Sequence, residues 1–168
     1  METPHWPYPV LRLKPGKESV LSKQHPWVFS GALAEPPTAK VVRLADASGN
    51  VLGVGTASPT NPLAVRVFRF EDRPLDAEWF QERFRAALEL RKVLGHDGPE
   101  AGFRWVFGEG DFLPGLVIDR YAQALVIQVG TAGLEILRET WWPVLFELAK
   151  ADGCTVFVER SQSGRKEE

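Results

Sequence analysis

The apolar pattern of this chain changes its period at one place, and that change limits the folds open to it. Between Val10 and Phe70 apolar residues come in short alternating runs; from Ala77 to Leu94 they recur every three or four residues. A period of two belongs to strands and a period near 3.6 to helices. Four runs precede the change: "VLRLK" (Val10–Lys14), "KVVRLAD" (Lys40–Asp46), "VLGVGTAS" (Val51–Ser58) and "LAVRVFRF" (Leu63–Phe70). "SGN" and "PTNP" separate the last three as turns. Gly53 and Gly55 inside one run predict a bend, as at a barrel corner. In "LAVRVFRF" the alternation puts Leu63, Val65, Val67 and Arg69 on one face, and Ala64, Arg66, Phe68 and Phe70 on the other. Short strands with regular turns predict a small barrel or sandwich, with a short helix over Lys17–Gln24.

"EDRPLD" (Glu71–Asp76) marks a boundary, because it is polar and carries a proline. The expected organisation is a first domain over 1–72, a linker helix over 73–98 and a second domain over 99–168. Asp76 is placed to cap a helix over Ala77–Leu94. Its apolar face holds Phe80, Phe84, Ala87, Leu88 and Leu94, with Glu78 in the first turn, Arg91 and Lys92 in the last, and Gly95 as its stop. Beyond it, "FRWVF" reads as a strand, and "LVIDRY" with "ALVIQVG" as a hairpin about Ala122–Gln123. "GLEILRETWWPVLFELAK" has a helical face of Leu134, Leu137, Trp141, Leu145 and Leu148, which Pro143 is expected to kink or restart. "TVFVER" is a last strand. The expected fold class is α+β: a small β-barrel, the linker helix, and a small α/β domain in the order strand–strand–helix–strand.

Composition excludes several functions. One cysteine, Cys154, rules out an internal disulfide framework, and three scattered histidines (His5, His25, His96) suggest no metal centre. No apolar run reaches the ~18 residues of a membrane helix, and "METPHWPYPV" is not a signal peptide. A cytoplasmic protein without a membrane partner is expected. Charge is uneven: Val10–Phe70 holds eight basic residues against three acidic ones, a net of +5 in a chain of net −2. A basic module on an acidic remainder points to an anionic ligand.

Three features read as structure. "GEGDFLPG" sets Glu109 and Asp111 among glycines but has neither a dinucleotide-loop pattern nor a P-loop lysine, so it reads as a tight turn. Cys154 reads as a buried, inert thiol, and Arg83, Arg85, Arg91 and Lys92 as a solvated helix face. "SKQHPWVFSGAL" (Ser22–Leu33) is more pointed. Lys14, Lys17 and Lys23 lead into His25, Trp27 and Phe29; basic side chains hold phosphates and an exposed aromatic stacks on bases. Pro26, Val28 and Phe29 are expected to fix this loop while Lys23 and His25 face outward. Trp27 is equally readable as a plug or as a platform.

"LKPGKESVLSKQHPWVFSGAL" followed by "GVGTASPTNPLAVRVF" resembles the N-terminal PUA domain of the RlmI-like ribosomal RNA large-subunit methyltransferases. "FRWVFGEGDFLPGLVIDRY" and "VERSQSGRKEE" resemble that family's central domain. The resemblance makes the expected barrel a PUA-type barrel and the expected partner large-subunit ribosomal RNA. It implies transfer of a methyl group from S-adenosylmethionine to cytosine C5 in 23S rRNA by a full-length protein. No catalytic, cofactor-binding or metal residue is expected among these residues: Cys154 matches no catalytic motif, and this chain alone is expected to be inactive. The expected RNA contacts are Lys14, Lys17, Lys23, His25, Trp27, Arg66 and Arg69, although strict alternation sets Arg66 and Arg69 on opposite faces. A stand-alone RNA-binding or ribosome-associated module is the alternative, and homodimerisation is open.

Overall fold

The computed structural model describes residues 8–96, 98, 100 and 102–160. The chain divides into two compact units, Met1–Leu75 and Asp76–Glu168. The architecture is mixed α+β in both.

The first unit is a five-stranded sheet. Its strands are β1 (Val10–Arg12), β2 (Trp27–Val28), β3 (Val41–Ala45), β4 (Val51–Ala57) and β5 (Val65–Arg69), in the order β1-β3-β4-β5-β2. β1 runs parallel to β3 and the other neighbours are antiparallel. A one-turn helix, α1 (Ser19–Ser22), precedes β2 and buries Leu21. Directly opposed residues share a face, so the register identifies the core face: Leu11 with Leu44, Val42 with Gly55 and Val67, and Ala57 with Val65 and Val28. Apart from Gly55, these residues form one buried cluster with Leu13, Leu21 and Leu33.

The expected barrel does not close among the described residues: hydrogen bonding ends at β1 on one side and β2 on the other. The reason is local. After Val28 the chain leaves the ladder for a 3-10 turn over Ser30–Ala32, and only an isolated Leu13–Leu33 bridge reaches back towards β1. The glycine pair in β4 is explained by close approach. A β-carbon on Gly53 would lie 2.6 Å from the Arg69 carbonyl oxygen, and one on Gly55 only 2.3 Å from that of Arg66. Between these contacts β5 carries a bulge: Gly55 opposes Val67 and Val54 opposes Arg69, leaving Phe68 as the extra residue.

In the second unit, α2 (Ala77–Val93) starts where Asp76 accepts a hydrogen bond from the Trp79 amide. It buries Trp79, Phe80, Phe84, Ala87 and Leu88, whereas Leu94, expected on that face, is exposed past the helix end. The helix expected as a linker packs within this unit, against β6 (Gly102–Phe107) and α4 (Arg138–Ala151). The sheet continues with β7 (Leu116–Tyr121), β8 (Ala124–Val129) and β9 (Val156–Glu159), in the order β6-β7-β8-β9, with only β9 parallel to its neighbour. Three strands, β6 to β8, therefore lie between α2 and the later helices, one more than the order strand–strand–helix–strand contains. The long helical pattern does break, but at Leu137, between α3 (Ala132–Ile136) and α4; Pro143 lies inside α4. Trp105 and Trp141 fill the core, and each buried indole N–H is satisfied by a carbonyl, that of Phe84 and that of Leu134, at 2.9 Å.

Candidate nucleic-acid interface

The edge strand β2 carries the Ser22–Leu33 motif into the sheet. Gln24 adopts a left-handed conformation (φ 53°) just after α1, which turns the chain towards β2. The Pro26 carbonyl then accepts from the Val67 amide at 2.7 Å, and Trp27 falls opposite Arg66. Val28, the next residue, points into the core and is buried. By alternation Trp27 points to the other face, the one that Arg66 shares, and is 40% exposed. His25 meets Trp27 edge-on, with ring centroids 5.9 Å apart. The His25 Nδ1 accepts the Trp27 amide at 3.2 Å, so Nε2 is the nitrogen left to donate outward from the neutral ring. Of the residues expected to fix the loop, Val28 does so; Phe29 is 53% exposed.

The remaining expected contacts separate into two groups. Lys17 and Lys23 are exposed on either side of α1, and Arg66 is partly exposed on β5; none of the three enters an ion pair among the described residues. Lys14 and Arg69 are engaged. The Lys14 ammonium donates to the Gly31 carbonyl at 3.0 Å. The Arg69 guanidinium donates to the Pro74 carbonyl at 3.1 Å and pairs with Glu71 at 3.3 Å. The bulge at Phe68 resets the alternation, so Arg66 and Arg69 lie on the same face, not on opposite ones. Arg43 is likewise held, in a bidentate pair with Asp72. Part of the local positive charge therefore secures the segment after β5. The Trp27–Arg66 pairing had no short-range signal, because the two lie on strands far apart in sequence.

"GEGDFLPG" folds as a tight turn. Asp111 is buried and accepts both Arg91 nitrogens, at 2.7 and 2.6 Å, and the Phe107 amide at 2.6 Å. Arg91 also donates to the Arg104 carbonyl at 2.9 Å, so the pair ties α2, the free edge of β6 and the turn together. Lys92 pairs with Glu89 and Asp152, which takes a second member of the helix stripe out of play. Cys154 is buried and desolvation pushes its thiol pKa up, with the Arg120 charge pulling the other way. Among the described residues no helix is long and apolar enough to cross a membrane, and no cluster of three or more His, Cys, Asp or Glu residues is arranged to hold a metal.

Residues 11–70 match the family model of a PUA-like domain. Over 94% of its length the chain is 34% identical to ribosomal RNA large subunit methyltransferase I of Shewanella denitrificans and 35% identical to that of Shewanella amazonensis, covering 41% of each. Over this span the chain is homologous to the N-terminal part of the ribosomal RNA large subunit methyltransferase I proteins. It spans about two-fifths of the length of these curated relatives. A putative SAM-dependent methyltransferase from Streptococcus mutans shares the fold, with a TM-score of 0.74 over 89% of this chain and 41% of its own, at 18% identity. A putative methyltransferase complexed with SAH matches similarly, with a TM-score of 0.73 and 18% identity over 90% of this chain and 40% of its own. The PUA-like match ends at Phe70, close to the division between Leu75 and Asp76.

Proposed function

We propose that this chain is the RNA-recognition and central portion of an S-adenosylmethionine-dependent 23S rRNA cytosine-C5 methyltransferase of the cytoplasm, and that its first unit docks large-subunit rRNA. The observation that carries the docking surface is the cross-strand pair of Trp27 and Arg66 on the edge of a basic sheet. Trp27 supplies a π-face for an unpaired base, and Arg66 supplies a planar donor fork for a phosphate or base edge. His25 steadies Trp27 and offers Nε2 as a further donor. Lys17 and Lys23 extend the positive charge along the rRNA backbone. Lys14 and Arg69 serve mainly to hold their own loops, given the bonds they already make. No residue of this chain is proposed as catalytic. Cys154 is a poor nucleophile, since burial favours its protonated form.

The test is fluorescence anisotropy of a labelled 23S rRNA fragment against the protein and its K17E/K23E variant over a salt series. Removing one phosphate-neutralising cation lowers the slope of log K against log salt by about 0.7–0.9. The double variant is therefore expected to bind at least tenfold more weakly at low salt and to have a shallower slope. Equal affinities and equal slopes would refute the docking surface.

A further inference from the structure

The β2–β5 edge continues past the Trp27–Arg66 pair. Val28 opposes Val65, and beyond the ladder the Ser30 amide donates to the Pro62 carbonyl at 2.9 Å. Here an open cavity of about 180 Å3 lies between the chain that follows β2 and the turn between β4 and β5. Pro36, Pro37, Pro59 and Ala64 give it apolar walls, and Ser30 and Glu35 are the polar side chains of its lining. Proline fixes φ and carries no N–H, so walls built from prolines are stiff and offer no backbone donor. The volume falls below the ~300–1,000 Å3 of pockets for drug-sized ligands and suits a single flat ring system, such as one nucleobase. Ser30 is three residues from Trp27, at most about 10 Å along the chain, so an RNA strand stacked on Trp27 reaches the cavity.

Charge singles out Glu35. The acidic residues between Val10 and Phe70 are Glu18, Glu35 and Asp46. Asp46 accepts from the Asn50 amide and side chain, both at 2.9 Å, and so closes the turn between β3 and β4. Glu18 precedes α1 with one carboxylate oxygen buried. Glu35 is exposed and enters no ion pair among the described residues; the ion pairs of this unit use Glu71 and Asp72. A carboxylate on a phosphate-binding module repels the backbone that the module attracts. In the lining of a base-sized cavity it has a use, because a carboxylate accepts hydrogen bonds from the amino groups of bases.

We infer that this cavity holds one unpaired guanine of the docked RNA, read by Glu35. An ionised carboxylate only accepts, and it presents two oxygens side by side. Guanine is the RNA base whose Watson–Crick edge sets two donors side by side, N1–H and N2–H. Adenine, cytosine and uracil each place an acceptor next to their donor, which would face a carboxylate oxygen. Charge-assisted bonds of this bidentate kind are the stronger ones. The Ser30 hydroxyl supplies a donor for the neighbouring guanine O6, and the proline walls cover the ring faces. Unpaired bases are the ones splayed out of the stack and bonded on this edge. The inference rests on the RNA-docking reading above and adds a base preference to it: Trp27, Arg66 and the lysines supply affinity, and Glu35 supplies selection.

Fluorescence anisotropy of the full chain with short labelled oligouridylates tests this, each probe carrying one central guanosine, inosine or adenosine. The wild type is expected to bind the guanosine probe about 5- to 150-fold more tightly than the adenosine probe, the discrimination of one good bidentate pair. Inosine lacks the N2 amino group, and its probe is expected to fall between the two. E35Q changes an exposed side chain and keeps its size, so the fold is expected to stand. It is expected to bind the three probes equally, and to bind plain oligouridylate more tightly than the wild type because a negative charge is gone. Salt-sensitive binding without a guanosine preference, or a preference that survives E35Q, would overturn the guanine pocket while leaving the docking edge standing. Failure to bind any of the probes would overturn both.

Discussion

Substituting Gly55 by alanine tests the link between sequence, sheet and candidate interface at a single atom. The added β-carbon would sit 2.3 Å from the Arg66 carbonyl oxygen and 3.0 Å from both the Arg66 carbonyl carbon and the Val67 Cα. All three are backbone atoms, so no side chain can rotate away. Relief requires β5 to retreat from β4 by about 1 Å to reach ordinary contact. That movement stretches at least two ladder hydrogen bonds, each contributing about 1 kcal/mol, and adds overpacking strain of about 1–3 kcal/mol. The expected loss is about 4 kcal/mol, or a fall in Tm of at least roughly 15 °C for a unit of this size. Thermal unfolding followed by circular dichroism reads the loss. Rescue of fold by ligand is not expected, because the displaced residue is Arg66 itself, opposite Trp27. Gly31→Ala is the control: nothing lies within 4 Å of its added carbon, so it should change stability by less than about 0.5 kcal/mol. A loss under about 1 kcal/mol for Gly55→Ala would refute the close-approach reasoning.

Asp111→Ala should destabilise the chain by about 3–5 kcal/mol, since it leaves the largely buried Arg91 guanidinium without its carboxylate; replacing both partners with leucine should recover much of that loss in chemical denaturation. Cys154 should react with iodoacetamide far more slowly in the native chain than in denaturant, because it is buried and its thiol pKa is raised. The same shift has a sign for stability. The folded state favours the protonated thiol, so its contribution is complete below the ordinary thiol pKa and is lost as pH rises through the raised one. Cys154→Val should remove that alkaline loss in a pH series of unfolding curves.

Local rules made much of the fold legible. Alternation located the four long strand runs of the first half, and Asp76 followed by the Phe80–Phe84–Ala87–Leu88 face located α2. Failures arose where a contact distant in sequence decides the outcome. The Phe68 bulge depends on how β4 and β5 meet, so strict alternation put Arg66 and Arg69 on opposite faces. The break at Leu137 precedes Pro143, and α4 accommodates the proline within its length. Leu94 fits the helical period but lies beyond the last turn of α2, where no neighbour covers it within the described residues. Charge counting identified the basic half, but not which cations are engaged. Glu71, Asp72 and the Pro74 carbonyl occupy Arg69 and Arg43, and these partners fall in a segment whose polarity marked it only as a boundary. Trp27 could not be assigned from sequence because its role depends on β2 forming the sheet edge beside β5.

If the first unit docks rRNA as proposed, the RNA meets its β2–β5 edge. An NMR titration of the 15N-labelled chain with an unlabelled 23S rRNA fragment tests it most directly. The largest amide shifts are expected on 23–25, 27–28 and 65–67, together with the Trp27 indole N–H, and they should fade as salt is raised. Shifts confined to the second unit, or spread evenly over the chain with the Trp27 indole unmoved, would contradict it.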